Sequence, residues 1–219
     1  MKIALIRSGQ GNAADDAPIG FRTARLVLRD MVRADLDQIQ DWLPFANPLS
    51  ATWNTRWYGE SDMDHWIEGY QHDPSRRMFA IALHDGQIIG RLSLRQIRTG
   101  LSAVLGIAFG AAWVNQGYGT EILRGFMPYY FDTLGFQVLR LDVAAPNQRA
   151  VRCYEKVGFV RTGESFRSVT TSDARAFMRM PEYAEHPEFL KRRFGQQMML
   201  FYDMELSREQ WRERQGQRS

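Results

Sequence analysis

Short runs of branched and aromatic residues alternate along this chain with stretches in which apolar residues recur every three or four positions. That change of period separates strands from helices. Ile3 to Ile6 forms a short apolar strand candidate, and the stretch from Ser8 to Asp16, punctuated by Gly, Asn and Asp, reads as a loop. Thr23 to Arg29 predicts a strand, and Asp35 to Leu43 an amphipathic helix with Leu36, Ile39, Gln40 and Leu43 at helical spacing. Met63, Trp66, Ile67 and Tyr70 predict a second helix from Asp62 to Gln71. Phe79–Leu83 and Ile88–Leu94 flank His84-Asp85-Gly86-Gln87, where Asp-Gly supplies the positive φ values that a tight hairpin turn requires. Ala103–Phe109 continues this antiparallel meander.

Ile122, Leu123, Phe126, Met127 and Tyr130 then mark the buried face of a helix that Gly135 stops, and Phe136 to Ala144 forms the next strand. Strand, helix, strand predicts a parallel crossover, right-handed by default. Asn147 is placed to cap a helix from Gln148 to Val157, Gly158 to stop it, and Phe159 to begin a further strand. Gln197 to Leu206 reads as the final strand, Lys191-Arg192-Arg193 before it as a solvated helix end, and Arg208 to Ser219 as a polar, fraying tail.

Composition narrows the class. With 219 residues, 44% hydrophobic and 24% charged, the chain is neither disordered nor fibrous and fits one ordinary domain. Its single cysteine, Cys153, excludes an internal disulfide and a cysteine-based zinc site. No apolar run approaches the roughly 20 residues that span a bilayer, and Met1 to Arg7 is too short for a signal-peptide core, so the expected compartment is the cytoplasm. The net charge of +3 is too small to argue for nucleic acid, and of the 28 basic residues only Lys2, Lys156 and Lys191 are lysines. The histidines His65, His72, His84 and His186 show no metal-ligand spacing, so no metal is expected; His65, beside Trp66, is a minor site candidate.

The candidate chemistry begins at Val114-Asn115-Gln116-Gly117-Tyr118-Gly119-Thr120-Glu121. A strand feeding a glycine-rich turn that opens a helix gathers unpaired N–H groups at the positive end of the helix dipole, which suits an anion and above all phosphate. Ile122 stands where a dinucleotide-binding fingerprint needs its third glycine, and the Gly-Lys-Ser/Thr of a Walker loop is absent. A tight turn that merely packs the helix fits the same residues.

Gln116-Gly117-Tyr118-Gly119-Thr120-Glu121 together with the pattern Asn147-x-x-Ala150-x-x-x-Tyr154-x-x-x-Gly158-Phe159 resembles the GNAT acyltransferases. It is similar in particular to the branch that includes the ribosomal-protein alanine N-acetyltransferases, whose opening strand Thr23 to Arg29 also resembles. The resemblance covers roughly residues 21–166. It implies a single α/β (α+β) domain with a central mixed, mostly antiparallel sheet and helices on both faces. It also implies an acetyl-coenzyme A site and direct acetyl transfer to a primary amine, either a protein N-terminus or a small molecule. The cofactor's pyrophosphate would lie on Asn115, Gln116, Gly117, Tyr118, Gly119 and Thr120. Its pantetheine arm would lie along Ile107, Ala108 and Phe109, with Asn147 and Arg149 at the opening of the next helix. Tyr154 falls where the family has a general acid for the leaving thiolate. Val114 replaces the usual Arg or Gln of the turn, and Ala103 to Gly106 lacks the glutamate that serves many relatives as base.

Asp142, near the end of a parallel strand and five residues before Asn147, is the remaining candidate base; pairing with Arg140 or Arg149 is its alternative. Tyr154 shares the apolar face Ala150, Val151, Val157 and could simply pack, while Cys153 lacks a partner base. Trp53, Trp57 and Tyr58 fit either an acceptor-side aromatic wall or helix packing. The expected organisation is an extension at 1–20, the domain at 21–206 with an insertion at 167–196, and a tail at 207–219. The insertion carries Met178, Met180, Tyr183, Phe189 and Phe194, too apolar for a free loop, and predicts packing over the acceptor side or a subunit contact that leaves a homodimer open. A non-catalytic acyl-coenzyme A sensor is the rival reading.

Overall fold

The computed structural model describes residues 19–45, 59–169 and 187–217. The candidate strand Ile3–Ile6, the loop after it, the aromatics Trp53, Trp57 and Tyr58, and the stretch from Met178 to His186 lie outside the described residues. Strands β1 (Ile19–Arg22), β2 (Leu26–Asp30), β3 (Arg77–Leu83), β4 (Ile88–Arg98), β5 (Ser102–Phe109), β6 (Val138–Ala144), β7 (Val160–Ser168), β8 (Leu190–Arg193) and β9 (Gln196–Ser207) form one sheet. Its order is β1-β2-β3-β4-β5-β6-β9-β7, with β8 also on β9. Every pairing is antiparallel except β5 with β6. The mixed, mostly antiparallel α/β fold expected from the sequence is the one observed.

Alternation along the strands buries both faces. In β3, Phe79 and Ile81 face a large core under helices α3 (Tyr118–Pro128) and α4 (Gln148–Val157), where Ile122, Phe126, Val151 and Tyr154 meet them. Met78, Ala80 and Ala82 face a smaller core with Leu36 and Ile39 of α1 (Arg33–Gln40) and Met63 and Ile67 of α2 (Glu60–Gln71). The link from β2 to α1 is fixed by a buried ion pair. Arg29 donates from Nη1 and Nη2 to Asp35 at 2.7 and 2.6 Å, and the Val32 amide donates to the same carboxylate at 2.9 Å.

Several boundaries differ from expectation, each for a local reason. The strand expected over Thr23–Arg29 begins only at Leu26, as β2, because Thr23 caps a turn by accepting from the Leu26 amide at 3.0 Å, and β1 precedes that turn. Helix α1 stops at Gln40, where Trp42 Nε1 donates to the Ile88 carbonyl at 3.1 Å and draws the chain off the helix axis; Leu43 is left 73% exposed. Lys191 to Arg193 belongs to strand β8, with Lys191 Nζ 3.4 Å from the Phe166 ring centre. The expected polar tail is helix α5 (Arg208–Gly216): Ser207 and Gln210 form its capping box, and Trp211 stacks on Phe131 at 5.4 Å. Arg208 and Arg212, which donate to Asp132 at 3.2 and 3.1 Å, dock the same helix beside that aromatic anchor.

Candidate active site

Strands β5 and β6 pair only through Ser102, Ala103 and Val104 against Val138, Leu139 and Arg140. Beyond that point β5 keeps its bonds to β4 as far as Phe109, and β6 its bonds to β9 as far as Ala144, so the two strands part. The edge of β5 turned toward the gap has no strand partner and presents backbone amides and carbonyls to whatever enters. A cavity of about 430 Å³ opens there. Ile107, Ala108 and Phe109 form one wall, Asn115, Gly117, Tyr118, Gly119 and Thr120 its end, and Asn147, Arg149 and Tyr154 the wall opposite. Two predicted site residues, Gln116 and Asp142, are not on the wall.

The turn is built for an uncapped helix start. Asn115 (φ 63°) and Gly117 (φ 82°) both adopt the left-handed conformation, and no side chain caps the N-terminus of α3. The first N–H groups of α3 therefore point out of the helix with no partner of their own. Gly117 is required by its φ. Gly119 sits against α4 and β5: a Cβ there would stand in ordinary contact, 3.4 Å from Cys153 Sγ and 3.7 Å from Phe109. Thr120 Oγ1 and Cys153 Sγ are 3.4 Å apart, which ties the turn to α4. Burial pushes the Cys153 thiol up despite Thr120 and the nearby cationic groups, so the thiol is a packing group and a poor nucleophile.

Sequence reasoning missed the brace behind the turn. Arg25, from the β1–β2 turn, donates to the Gln116 carbonyl at 3.2 Å and to Glu121 at 2.6 Å, and its guanidinium lies 4.3 Å from the Tyr118 ring centre. Burial would raise the Glu121 carboxyl, but hydrogen bonds from Thr23 and Arg25 outweigh it and hold the group below its ordinary value. Gln116 serves the same brace, donating from Nε2 to the Ala112 carbonyl at 2.7 Å. Trp42 and Trp113 pack at a tilt with ring centres 5.9 Å apart beside Gly110, where a Cβ would meet them at 2.8 and 2.7 Å. Trp113 continues onto the cavity wall. The contacts of Arg25 with Gln116 and Glu121, and of Trp42 with Trp113, leave no local motif, because their partners are far apart in the chain.

Asn147 caps α4 by accepting from the Ala150 amide at 3.3 Å, as its position predicts. Arg149, Arg152 and Lys156 of α4 line the cavity and make that side cationic. Tyr154 is buried. Burial above all, then the charges of Cys153 and Asp142, pushes its phenol well above the ordinary value, so it stays protonated. Among the described residues nothing accepts or donates a hydrogen bond at its hydroxyl.

Asp142 is held elsewhere. Its carboxylate accepts from Arg167 Nη1 at 2.8 Å and stands 3.9 Å from Arg95 Nη2, while Arg167 Nη2 donates to Asp203 at 2.9 Å. The pairing is with Arg167, not with Arg140 or Arg149. His65 is exposed on α2 and bonds within its own helix. Among the described residues, no three His, Cys, Asp or Glu side chains are grouped to hold a metal ion, and no helix is long and apolar enough to cross a membrane.

The family model described as an acetyltransferase (GNAT) domain matches residues 25–160. A spermidine N(1)-acetyltransferase of Vibrio cholerae is 26% identical over 141 residues, 64% of this chain and 82% of that enzyme. An aminoglycoside N(6')-acetyltransferase type 1 of Klebsiella pneumoniae is 24% identical over 170 residues, 69% of this chain and 80% of that enzyme. The crystal structure of spermidine N-acetyltransferase from Vibrio cholerae in complex with CoA and spermine superposes with a TM-score of 0.63 at 21% identity, covering 85% of this chain and 97% of that one.

Proposed function

This chain belongs to the GNAT acetyltransferase family, and on that premise we propose that the cleft between β5 and β6 binds acetyl-coenzyme A and delivers its acetyl group to a primary amine. The observation that carries the reading is the coincidence, in one cavity, of an uncapped helix start, an unpaired strand edge and a buried phenol. Each fits a different part of the thioester. The N–H groups of Tyr118, Gly119 and Thr120 suit the pyrophosphate, with Asn115, Gly117 and the cationic side of α4, Arg149 included, around it. The freed edge of Ile107, Ala108 and Phe109 suits the amides of the pantetheine arm. Gln116 acts from outside by holding the turn's shape.

Transfer needs a neutral amine, a bond from its nitrogen to the acetyl carbon, and loss of the carbon–sulfur bond. Tyr154 is the proton donor in this scheme: it hydrogen-bonds the sulfur as charge develops there, gives up its proton, and regains one from solvent. Its environment keeps the phenol neutral until that moment. The proton released by the amine leaves through water, because Asp142 is engaged by two guanidinium groups and lies off the cavity wall. We assign Asp142 a positioning role: with Arg167 and Asp203 it fixes β6 against β7 and β9, the strands behind Tyr154. The relatives named above are acetyltransferases, which favours the enzyme over the binding-only alternative that Val114 and the missing glutamate would suit. An acyl-thioester substrate and a single cysteine agree with a cytoplasmic enzyme.

The direct test is coenzyme A release from acetyl-coenzyme A across a panel of amines, alongside titration of Gly117→Val. The wild type should bind the thioester at micromolar levels and turn over, and the variant should bind at least about tenfold more weakly because valine resists the left-handed backbone. Unchanged binding in the variant would reject the cradle.

A further inference from the structure

The charges of helix α4 are sorted by face. Arg149, Arg152 and Lys156, spaced i, i+3 and i+7, all line the cavity. The one acid of the helix, Glu155, is off the cavity wall and accepts from Arg161 Nη2 at 3.1 Å. Among the described residues that line the cavity, none is Asp or Glu. Arg152 and Lys156 are exposed, and among the described residues neither has an ion-pair or hydrogen-bond partner.

This arrangement is unfavourable for the protein alone. Like charges at i, i+3 and i, i+4 repel. Arg149 also stands in the first turn of a helix that carries no acid there, at the positive end of its dipole. The uncapped start of α3 adds a second positive end, and the acid of its first turn, Glu121, is already taken by Thr23 and Arg25. These charges converge. Burial raises the Cys153 thiol, and after the bond with Thr120 the charges of Lys156, Arg124 and Arg149 oppose it. That sulfur lies 3.4 Å from Thr120 Oγ1, in the first turn of α3. Each repulsion is small, but all share one sign, and a bound polyanion offsets them together.

One pyrophosphate does not account for the whole stripe. From Arg149 to Lys156 the helix advances about 10 Å at 1.5 Å per residue, which is longer than a pyrophosphate. Three landmarks orient it. Asn147 follows β6 at the mouth of the split, Cys153 meets the turn at Thr120, and Lys156 comes last, past the turn on the side away from the split. In a coenzyme A thioester laid with its pantetheine arm in the split, the group on the far side of the pyrophosphate is the ribose with its 3'-phosphate.

We propose that Arg152 and Lys156 form a second anion subsite that takes the ribose 3'-phosphate, and that through it the chain selects donors carrying this phosphate over dephospho-coenzyme A thioesters. This rests on the acetyl-coenzyme A reading above and adds donor selectivity to it. A phosphate monoester is the matching chemistry, because it offers close to two negative charges and three acceptor oxygens to an arginine fork and a lysine point charge.

The test is calorimetric titration of coenzyme A and dephospho-coenzyme A into wild type, Arg152→Gln, Lys156→Gln and the double variant, at low and high salt. Wild type at low salt should bind coenzyme A at least about tenfold more tightly than dephospho-coenzyme A. Each single change should lower that ratio, and the double change should bring it to within about twofold of unity, while dephospho-coenzyme A affinity moves by less than about threefold. The wild-type preference should shrink with added salt, since both cations are exposed. Without ligand the variants should melt no lower than wild type, because the changes relieve like-charge repulsion. Equal affinity of wild type for the two ligands would overturn the proposal. So would an equal loss for both ligands in the double variant, which would give the two cations to the pyrophosphate instead. If neither ligand binds wild type, the acetyl-coenzyme A reading falls and the subsite with it; if both bind equally well, the subsite alone falls.

Discussion

Arg167 Nη1 holds the Asp142 carboxylate at 2.8 Å, and that contact decides how this acid is used. Asp142 is close enough for its charge to help keep Tyr154 protonated, yet its oxygens face β7 and β4 guanidinium groups. Asp142→Asn should therefore cost less than about 1 kcal/mol, the usual scale for a partly exposed pair. It should also leave the acid-side inflection of the kcat/KM profile in place. Loss of that inflection, with acetyl-coenzyme A affinity intact, would make Asp142 the base.

Gly110 is a steric prediction. A methyl group there would stand 2.7 Å from Trp113 and 2.8 Å from Trp42, closer than carbon atoms approach. Gly110→Ala should destabilise by about 1–3 kcal/mol and raise the KM for acetyl-coenzyme A, because Trp113 is pushed along the cavity wall. Thermal melting and steady-state kinetics check both halves, and an unchanged KM would detach the tryptophan pair from the site.

The buried pair Arg29–Asp35 carries a stability prediction. Arg29→Met leaves the Asp35 carboxylate buried beside a single remaining amide donor from Val32. Denaturant unfolding should show a loss of about 3–5 kcal/mol. The double variant Arg29→Met/Asp35→Leu should recover much of it.

High pH probes the two buried phenols. Burial raises both Tyr130 and Tyr154; Tyr130 also donates to the Val138 carbonyl at 2.8 Å. Each holds its proton more tightly folded than unfolded. Their contribution is full below the ordinary phenol value of about 10 and is lost as pH rises past it toward the folded value. Stability should fall above that point by up to about 1.4 kcal/mol per pH unit for each group, and Tyr130→Phe or Tyr154→Phe should each flatten the slope. Denaturation midpoints across the alkaline range, read with tyrosinate absorbance, measure it.

Features written into adjacent residues were legible in the sequence. Asp85-Gly86 gave the hairpin, with Gly86 at φ 91°, and Asn147 the cap of α4. The turn at Asn115 to Thr120 and the crossover from β5 through α3 to β6 were visible for the same reason. What escaped depends on residues that meet only in three dimensions. Arg25 reaches Gln116 across 91 positions, and Asp142 meets Arg167 across 25. Helix α5 has no apolar period to show in the sequence, because it docks through one buried aromatic, Trp211, and through Arg208 and Arg212 on the distant Asp132.

Tyr154→Phe tests the central claim most directly. The change removes one hydroxyl from a buried ring that packs edge-on against Phe159 at 5.8 Å, so the fold and the cleft should persist. Single-turnover and steady-state kinetics should show kcat reduced by about 10²–10⁴, with acetyl-coenzyme A affinity within about threefold of wild type. A kcat equal to that of wild type would contradict the account and leave Tyr154 as a packing residue.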